Sequence, residues 1–230
     1  MNQEKIWHYF QNESPGTLQN SEERLTSLVR QVQRRIKPGA KVLNVGIGPG
    51  LFEGMAIKMG MDVYTLDPDQ EAINRLNEQA GMKGRARVGY LQSIPFSQDF
   101  FEAVVVSEVL EHLSDEVLEK ALSEIQRVLR RGGFITGTTP ARENLAEQLV
   151  VCPHCGERFH RWGHLQSFDE ERMRLLLSKY FRAVEVKERH IDSWSRLNWK
   201  GKFLSLTKQL MLTLGVRSSG NSLYFLGMKN

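Results

Sequence analysis

Short apolar runs alternate with stretches in which apolar residues recur every three or four positions, and the alternation repeats along most of the chain. Leu25, Leu28, Val29, Val32 and Ile36 mark one helical face. Together with the Trp7, Tyr9 and Phe10 cluster and the turn-like Ser14-Pro15-Gly16, they predict one or two N-terminal helices that end at Pro38-Gly39. Ala40 to Val45 reads as a strand leading directly into Gly46-Ile47-Gly48-Pro49-Gly50. A helix is expected over Leu51 to Lys58, closed by Gly60. The rhythm continues with a strand from Asp62 to Leu66, a helix from Pro68 to Gln79 with proline in its first turn, and a strand from Arg85 to Tyr90. Ala103 to Ser107 is a continuous apolar strand; Ser114 caps a helix running through Leu129, and Gly132-Gly133 stop it before a strand over Phe134 to Thr138.

Five strands alternating with helices imply a parallel sheet covered on both faces, the doubly wound α/β class. After Pro140 the pattern breaks. Residues 141–167 form a Cys/His-rich insertion, a helix from Asp169 to Tyr180 and a strand from Val184 to Glu188 resume the fold, and residues 192–220 form a basic amphipathic insertion before a final strand over Leu223 to Met228. The expected organisation is an N-terminal helical lid (1–38) and one domain (39–230) carrying both insertions.

A chain of 230 residues with 40% hydrophobic content can bury one substantial core. No stretch approaches the roughly 20 apolar residues of a membrane span, and no apolar region follows Met1, so a cytoplasmic location is expected. The net charge of +4 is uneven: from Lys187 onward 8 basic residues face 2 acidic ones, a local +6, which leaves −2 for the rest. A near-neutral body with one basic patch argues against a nucleic-acid partner. Within the patch, Trp199, Phe203, Leu204, Leu206 and Leu210 interleave with Arg196, Lys200, Lys202 and Lys208. That pattern suits an anionic lipid surface. A lid or dimer-forming helix with its apolar face covered by protein is favoured over it, and the chain is expected to be a monomer or homodimer.

A strand that ends in close-set glycines and opens into a helix brings bare backbone amides near a ligand. The spacing is GxGxG; the third glycine of a dinucleotide fingerprint would fall at Leu51, and no Lys-Ser or Lys-Thr follows for a triphosphate loop. Asp67, 21 positions after Gly46 at the end of the next strand, is suited to accept hydrogen bonds from both hydroxyls of a ribose. Asp67 capping the helix after Pro68 is the purely structural alternative.

In Val42-Leu43-Asn44-Val45-Gly46-Ile47-Gly48-Pro49-Gly50, Asp67, Ile94-Pro95-Phe96, Val109-Leu110-Glu111-His112-Leu113 and Leu129-Arg130-Arg131-Gly132-Gly133, the chain resembles the class I S-adenosylmethionine-dependent methyltransferases of the small-molecule type (methyltransferase type 11-like). The resemblance covers about residues 40 to 140. It implies a Rossmann-like seven-stranded sheet with the last strand antiparallel, and S-adenosylmethionine lying across the strands' carboxyl ends. It further implies that Gly46, Gly48 and Gly50 flank the methionine and ribose, that Asp67 with Pro68 holds the ribose, and that Ser107 and Glu108 lie near the methionine. Asn44 replaces the usual carboxylate, and Tyr90-Leu91 replaces the Asp-Ala that many relatives set against adenine.

Methyl transfer needs an in-line approach, and a base only when the acceptor is protonated. His112 is the family-placed candidate base, with local packing as its alternative; His8 and Tyr9 are candidates for closing over the site. Cys152-Pro153-His154-Cys155, then His160 and His164, offer two thiolates and two imidazoles at a spacing suited to tetrahedral structural zinc. A metal-free loop carrying His160 and His164 over the substrate is the rival reading. The function expected is methylation of oxygen, nitrogen or carbon on a small metabolite, such as a sugar or another biosynthetic intermediate; the alternative is a non-catalytic scaffold contacting a partner through the Cys/His insertion.

Overall fold

A computed structural model describes residues 3–14, 21–79, 81–190, 198–213 and 220–230. The helices are α1 (Gln3–His8, continued by a π-helical turn at Tyr9–Glu13), α2 (Glu22–Gln33), α3 (Leu51–Lys58), α4 (Gln70–Asn77), α5 (Asp115–Val128), α6 (Glu170–Ser178) and α7 (Trp199–Thr213). The strands are β1 (Lys41–Val45), β2 (Asp62–Asp67), β3 (Ala86–Val88), β4 (Phe101–Ser107), β5 (Leu129–Pro140), β6 (Leu149–Val151), β7 (Arg158–His160), β8 (Arg182–Arg189) and β9 (Ser222–Met228). The Pro15-Gly16 turn and the Trp194, Arg196 and Gly215 positions of the basic insertion lie outside the described residues.

Seven strands form one sheet in the order β3-β2-β1-β4-β5-β9-β8. β9 runs antiparallel to both of its neighbours, and the other pairs are parallel. The implied fold is therefore present, with the antiparallel strand second from the edge. Period-two alternation divides the sheet residues between two cores. Leu43, Val45, Val104, Val106 and Ile135 pack with α5 and α6, while Val42, Val63, Ala103, Val105 and Phe134 pack with α2, α3 and α4. The strand order reverses between β1 and β4, and the carboxyl ends splay apart there into a crevice.

Two local expectations change. Pro68 precedes the helix, because Asp69 takes the cap position and accepts from the Ala72 N–H at 2.8 Å. Gly132-Gly133 lie inside β5: Leu129 is already extended and pairs with Phe101, and the register shifts before Phe134 meets Ala103. α2 buries Leu25, Leu28, Val29 and Val32, which makes it a helix of the core.

On α7, Trp199, Phe203, Leu206 and Leu210 fall at helical spacing on one stripe and are 55–75% exposed. Among the described residues, nothing covers this stripe. Among the described residues, no helix is long and apolar enough to cross a membrane.

Candidate active site

The crevice between β1 and β4 deepens into a cavity of about 420 Å³. One wall comes from the strand ends: Asn44 to Pro49, Leu66 to Pro68, Gly89, and Ser107 to Val109. The other comes from Trp7, Phe10 and Gln11 of the N-terminal segment, Ser21, Arg24 and Leu25 around α2, and His112, Trp162 and His164.

On the first wall Gly46 is in the left-handed region (φ +84), and a Cβ there would meet Val109 Cγ2 at 3.0 Å, so glycine is required. Gly50 closes the turn, its N–H donating to the Ile47 carbonyl at 2.9 Å, and it caps α3 instead of lining the cavity. Asp67 is buried. Its Oδ2 accepts from the Ile47 N–H at 2.8 Å and from Gln11 Nε2 at 3.1 Å, and its Oδ1 from the Asp69 N–H at 2.9 Å. Burial raises its pKa, against the opposing pull of those donors.

The carboxylate missing at position 44 stands one layer back. Asn44 Nδ2 and Thr65 Oγ1 donate to Oε1 of the fully buried Glu53, at 2.8 and 2.7 Å. Burial pushes the Glu53 pKa up, and its Oε2 has no partner among the described residues. Sequence reasoning passed over Glu53; the available signal was an acid in the first turn of a helix whose neighbours Phe52 and Ala56 are apolar.

Tyr90 and Leu91 do not line the cavity. Tyr90 turns outward to donate to Glu4 Oε1 at 2.7 Å, and Leu91 joins the core. β3 ends at Val88, which leaves Gly89 facing inward, where a Cβ would stand 2.9 Å from Leu66 Cδ1.

Ser107 Oγ lies 2.8 Å from Thr138 Oγ1. Glu108 adopts φ +57, and its N–H donates to the Thr138 carbonyl. Its carboxylate faces Arg24, Nη1 to Oε2 3.8 Å, while Arg24 Nε and Glu108 Oε1 are buried with no partner among the described residues. Arg24 was not anticipated, because nothing in the sequence marks which residue of a core helix overlooks a distant strand end.

The N-terminal segment closes over this wall through residues other than Tyr9, which is half exposed. His8 Nδ1 is 2.6 Å from Asp69 Oδ2, and Asn12 bridges Asp69 and Arg75. The hydrogen bond to Asp69 raises the His8 pKa. Phe10 packs on Trp162 with ring centroids 4.9 Å apart.

The Cys/His insertion divides its four expected metal ligands. β6 and β7 pair Val151 with Arg158 and Leu149 with His160, so the hairpin holds Cys152 and Cys155 at its tip and His160 at its far end. Backbone N–H groups of Cys155 and His154 lower the Cys152 pKa, and Cys155 is exposed. Among the described residues, the groupings able to hold a metal are Glu111, His112 and His164, and Glu143, His160 and His164; neither cysteine joins them.

Three imidazoles cluster instead. His160 stacks on His164 at 4.6 Å, and His164 meets His112 edge-on at 4.7 Å. His160 Nδ1 accepts from the N–H groups of Trp162 and His164, so its Nε2 carries the proton. His164 Nδ1 is held by Glu143 Oε2 at 2.5 Å. His112 Nδ1 lies 3.2 Å from the Gly163 carbonyl and accepts from the Trp7 Nε1–H at 3.4 Å, and the Trp7 ring stands edge-on to it. Burial first, then His164 and His160, pushes the His112 pKa down to about 3. The imidazole is therefore neutral near pH 7.

Residues 43–136 match the family model described as a methyltransferase domain. A ubiquinone biosynthesis O-methyltransferase of Rhizobium etli is 28% identical over 127 residues, covering 54% of this chain and 50% of that protein. An uncharacterised methyltransferase of Mycobacterium bovis is 30% identical over 155 residues, covering 67% and 58%. The chain spans about half the length of the curated relatives it matches. In fold it is similar to the putative methyltransferase solved with the Haloferax volcanii Trm112 activator (TM-score 0.65, 15% identity, 98% of each chain) and to a SAM-dependent methyltransferase from Archaeoglobus fulgidus (0.60, 18%, 91% and 95%). The chain carries a class I S-adenosylmethionine-dependent methyltransferase domain. The cavity lies where this methyltransferase fold opens, at the reversal of strand order, and the Cys/His insertion supplies its far wall.

Proposed function

We propose that this methyltransferase domain transfers the methyl group of S-adenosylmethionine to a small acceptor admitted between the glycine turn and the Trp162–His164 loop. The observation that carries this reading is a single cavity that joins Asp67 and the Gly46–Pro49 turn to an aromatic wall of Trp7, Phe10 and Trp162. Asp67 serves as the ribose acceptor, and the Gln11 amide now on its Oδ2 occupies a position a ribose hydroxyl can take. Gly48 and Pro49 border the ribose and methionine, with Ser107 beside them. The zwitterionic end of the cofactor calls for one cation and one anion side by side, and Arg24 and Glu108 supply them with donor and acceptor atoms to spare. Neutral Asn44 backed by Glu53 takes the place of a direct carboxylate contact.

Transfer needs the acceptor atom in line with the sulfonium methyl, and the aromatic wall favours a planar acceptor that stacks there. The relative named for ubiquinone biosynthesis is an O-methyltransferase, which makes oxygen the first acceptor atom to test. Calorimetric titration with S-adenosylmethionine, followed by incubation with labelled cofactor and fractionated metabolites, tests the proposal. Saturable binding and a labelled small molecule are expected; no binding at high micromolar cofactor would favour a scaffold.

A further inference from the structure

We infer a transition-metal site formed by Glu111, His112 and His164 at the acceptor end of the cavity, which takes a dication such as Zn²⁺, Mn²⁺ or Fe²⁺ and receives a hydroxyl oxygen of the acceptor. Each of the three residues offers a ligand atom within 4.8 Å of the others, and two of them, His112 and His164, also line the cavity.

The second ring nitrogen of His164 argues for ligation. A metal-bound histidine characteristically gives its other N–H to a carboxylate or a backbone carbonyl, which fixes the tautomer and aims the lone pair. His164 Nδ1 is on the Glu143 carboxylate, which leaves its Nε2 as the metal-facing atom, while His112 stands edge-on to it with ring centroids 4.7 Å apart. His160 is arranged the opposite way: two backbone N–H groups point at its Nδ1, so its Nε2 keeps a proton and has no lone pair to give. That separates this grouping from the neighbouring one of Glu143, His160 and His164, and makes His160 a stacking support for His164.

The third ligand is the independent observation. Glu111 is 1% exposed; Thr139 Oγ1 donates to its Oε2 at 3.1 Å, and its Oε1 is buried with no hydrogen-bond partner among the described residues. A buried carboxylate oxygen without a donor is costly, and a cation relieves that cost. The Glu111 backbone carbonyl accepts from the N–H groups of Leu165 and Gln166 at 2.8 and 3.0 Å, which docks the His164 loop beside its carboxylate. Two histidines and one carboxylate on one side leave further coordination positions for substrate.

This inference rests on the methyl-transfer reading for its role and on the residues for its existence. The metal draws electron density from the acceptor hydroxyl, whose O–H bond breaks with the proton passing to solvent. The oxygen then forms a bond to the methyl carbon, the sulfonium S–CH₃ bond breaks with its electron pair going to sulfur, and S-adenosylhomocysteine is left. The substrate class is therefore a planar hydroxylated compound, its ring against Trp7, Phe10 and Trp162.

The test uses the full chain, stripped with chelator and titrated with Co²⁺ alone, read by calorimetry and by the visible spectrum. One Co²⁺ per chain with no thiolate charge-transfer band is expected. His164→Gln and Glu111→Gln are expected to abolish it, and Glu143→Gln to weaken it about tenfold. The Cys152→Ser/Cys155→Ser double variant is expected to keep it, and thermal melting checks that each variant is folded. Absence of Co²⁺, Mn²⁺ and Zn²⁺ binding, or a thiolate band lost in the double cysteine variant, would overturn the site. S-adenosylmethionine titration of the stripped chain fails or succeeds separately: metal binding without cofactor binding keeps the site and removes its role in methyl transfer.

Discussion

Asp67 meets the Ile47 amide because β1 and β2 are parallel neighbours, whereas Trp7 meets His112 across 105 positions of sequence. The donor wall is thus a direct consequence of sheet pairing: each residue on it lies within a few positions of a strand end, and the strands are locked in register by cores on both faces. The acceptor wall is assembled from α1, α2, the turn after β4 and the loop after β7, and it holds together through side chains such as the Phe10–Trp162 contact. Backbone pairing tolerates little change without loss of the fold, while side-chain contacts between loops change with modest cost. That difference ranks the expected effects of perturbation.

The largest effect belongs to the sheet beneath both walls. A Cβ at Gly137 would stand 1.7 Å from the Val106 carbonyl oxygen, so Gly137→Ala must force β4 and β5 apart. It is expected to cost about 3 kcal/mol or more, seen as a large fall in thermal midpoint. Unchanged melting would show that the strands can slide.

Next comes the donor wall itself. Asp67→Ala is expected to leave the fold intact and weaken S-adenosylmethionine binding about 100-fold, from roughly 3 kcal/mol of charge-assisted hydrogen bonding. The Asp67 pKa is raised by burial, so affinity is expected to fall as pH drops through that raised value and the carboxylate becomes protonated. Calorimetry across pH measures both. From the facing wall, Arg24→Met removes one of the two charges proposed to hold the cofactor's zwitterionic end, and about tenfold weaker binding is expected from a single lost ionic hydrogen bond of roughly 1.5 kcal/mol. An unchanged affinity would place that end elsewhere.

The contact between α1 and the residues after β2 is weaker and depends on pH. His8 gains a proton more readily because Asp69 accepts its hydrogen bond, so its pKa lies above the ordinary 6.5. The charged contact is fully present below that ordinary value and is lost as pH rises through the raised one. Proteolysis of the N-terminal segment is expected to quicken over that interval in the wild type, and to show no such pH dependence in His8→Gln. The smallest effect is on the exposed face of α7: Phe203→Ser and Leu206→Ser are each expected to change stability by no more than about 0.5 kcal/mol, measured by denaturant titration.

Much of the donor wall was legible in the chain. A strand ending in Gly46-Ile47-Gly48-Pro49-Gly50 and an acid at the next strand end fix the position of Asp67, because parallel neighbours in a doubly wound sheet bring their carboxyl ends together. Alternation and helical periodicity likewise determined which faces are buried, since burial follows local geometry with period 2 or 3.6. Tertiary structure decided the rest. The spacing of Cys152, Cys155, His160 and His164 suggested one tetrad, but the β6–β7 register put the cysteines at a hairpin tip and turned His164 toward His112. Spacing along a chain says which ligands are near in sequence, and strand register says which way they point. The pairing of Arg24 with Glu108 and the buried Oε1 of Glu111 arise only when distant elements pack, because desolvation and side-chain direction are properties of the assembled core.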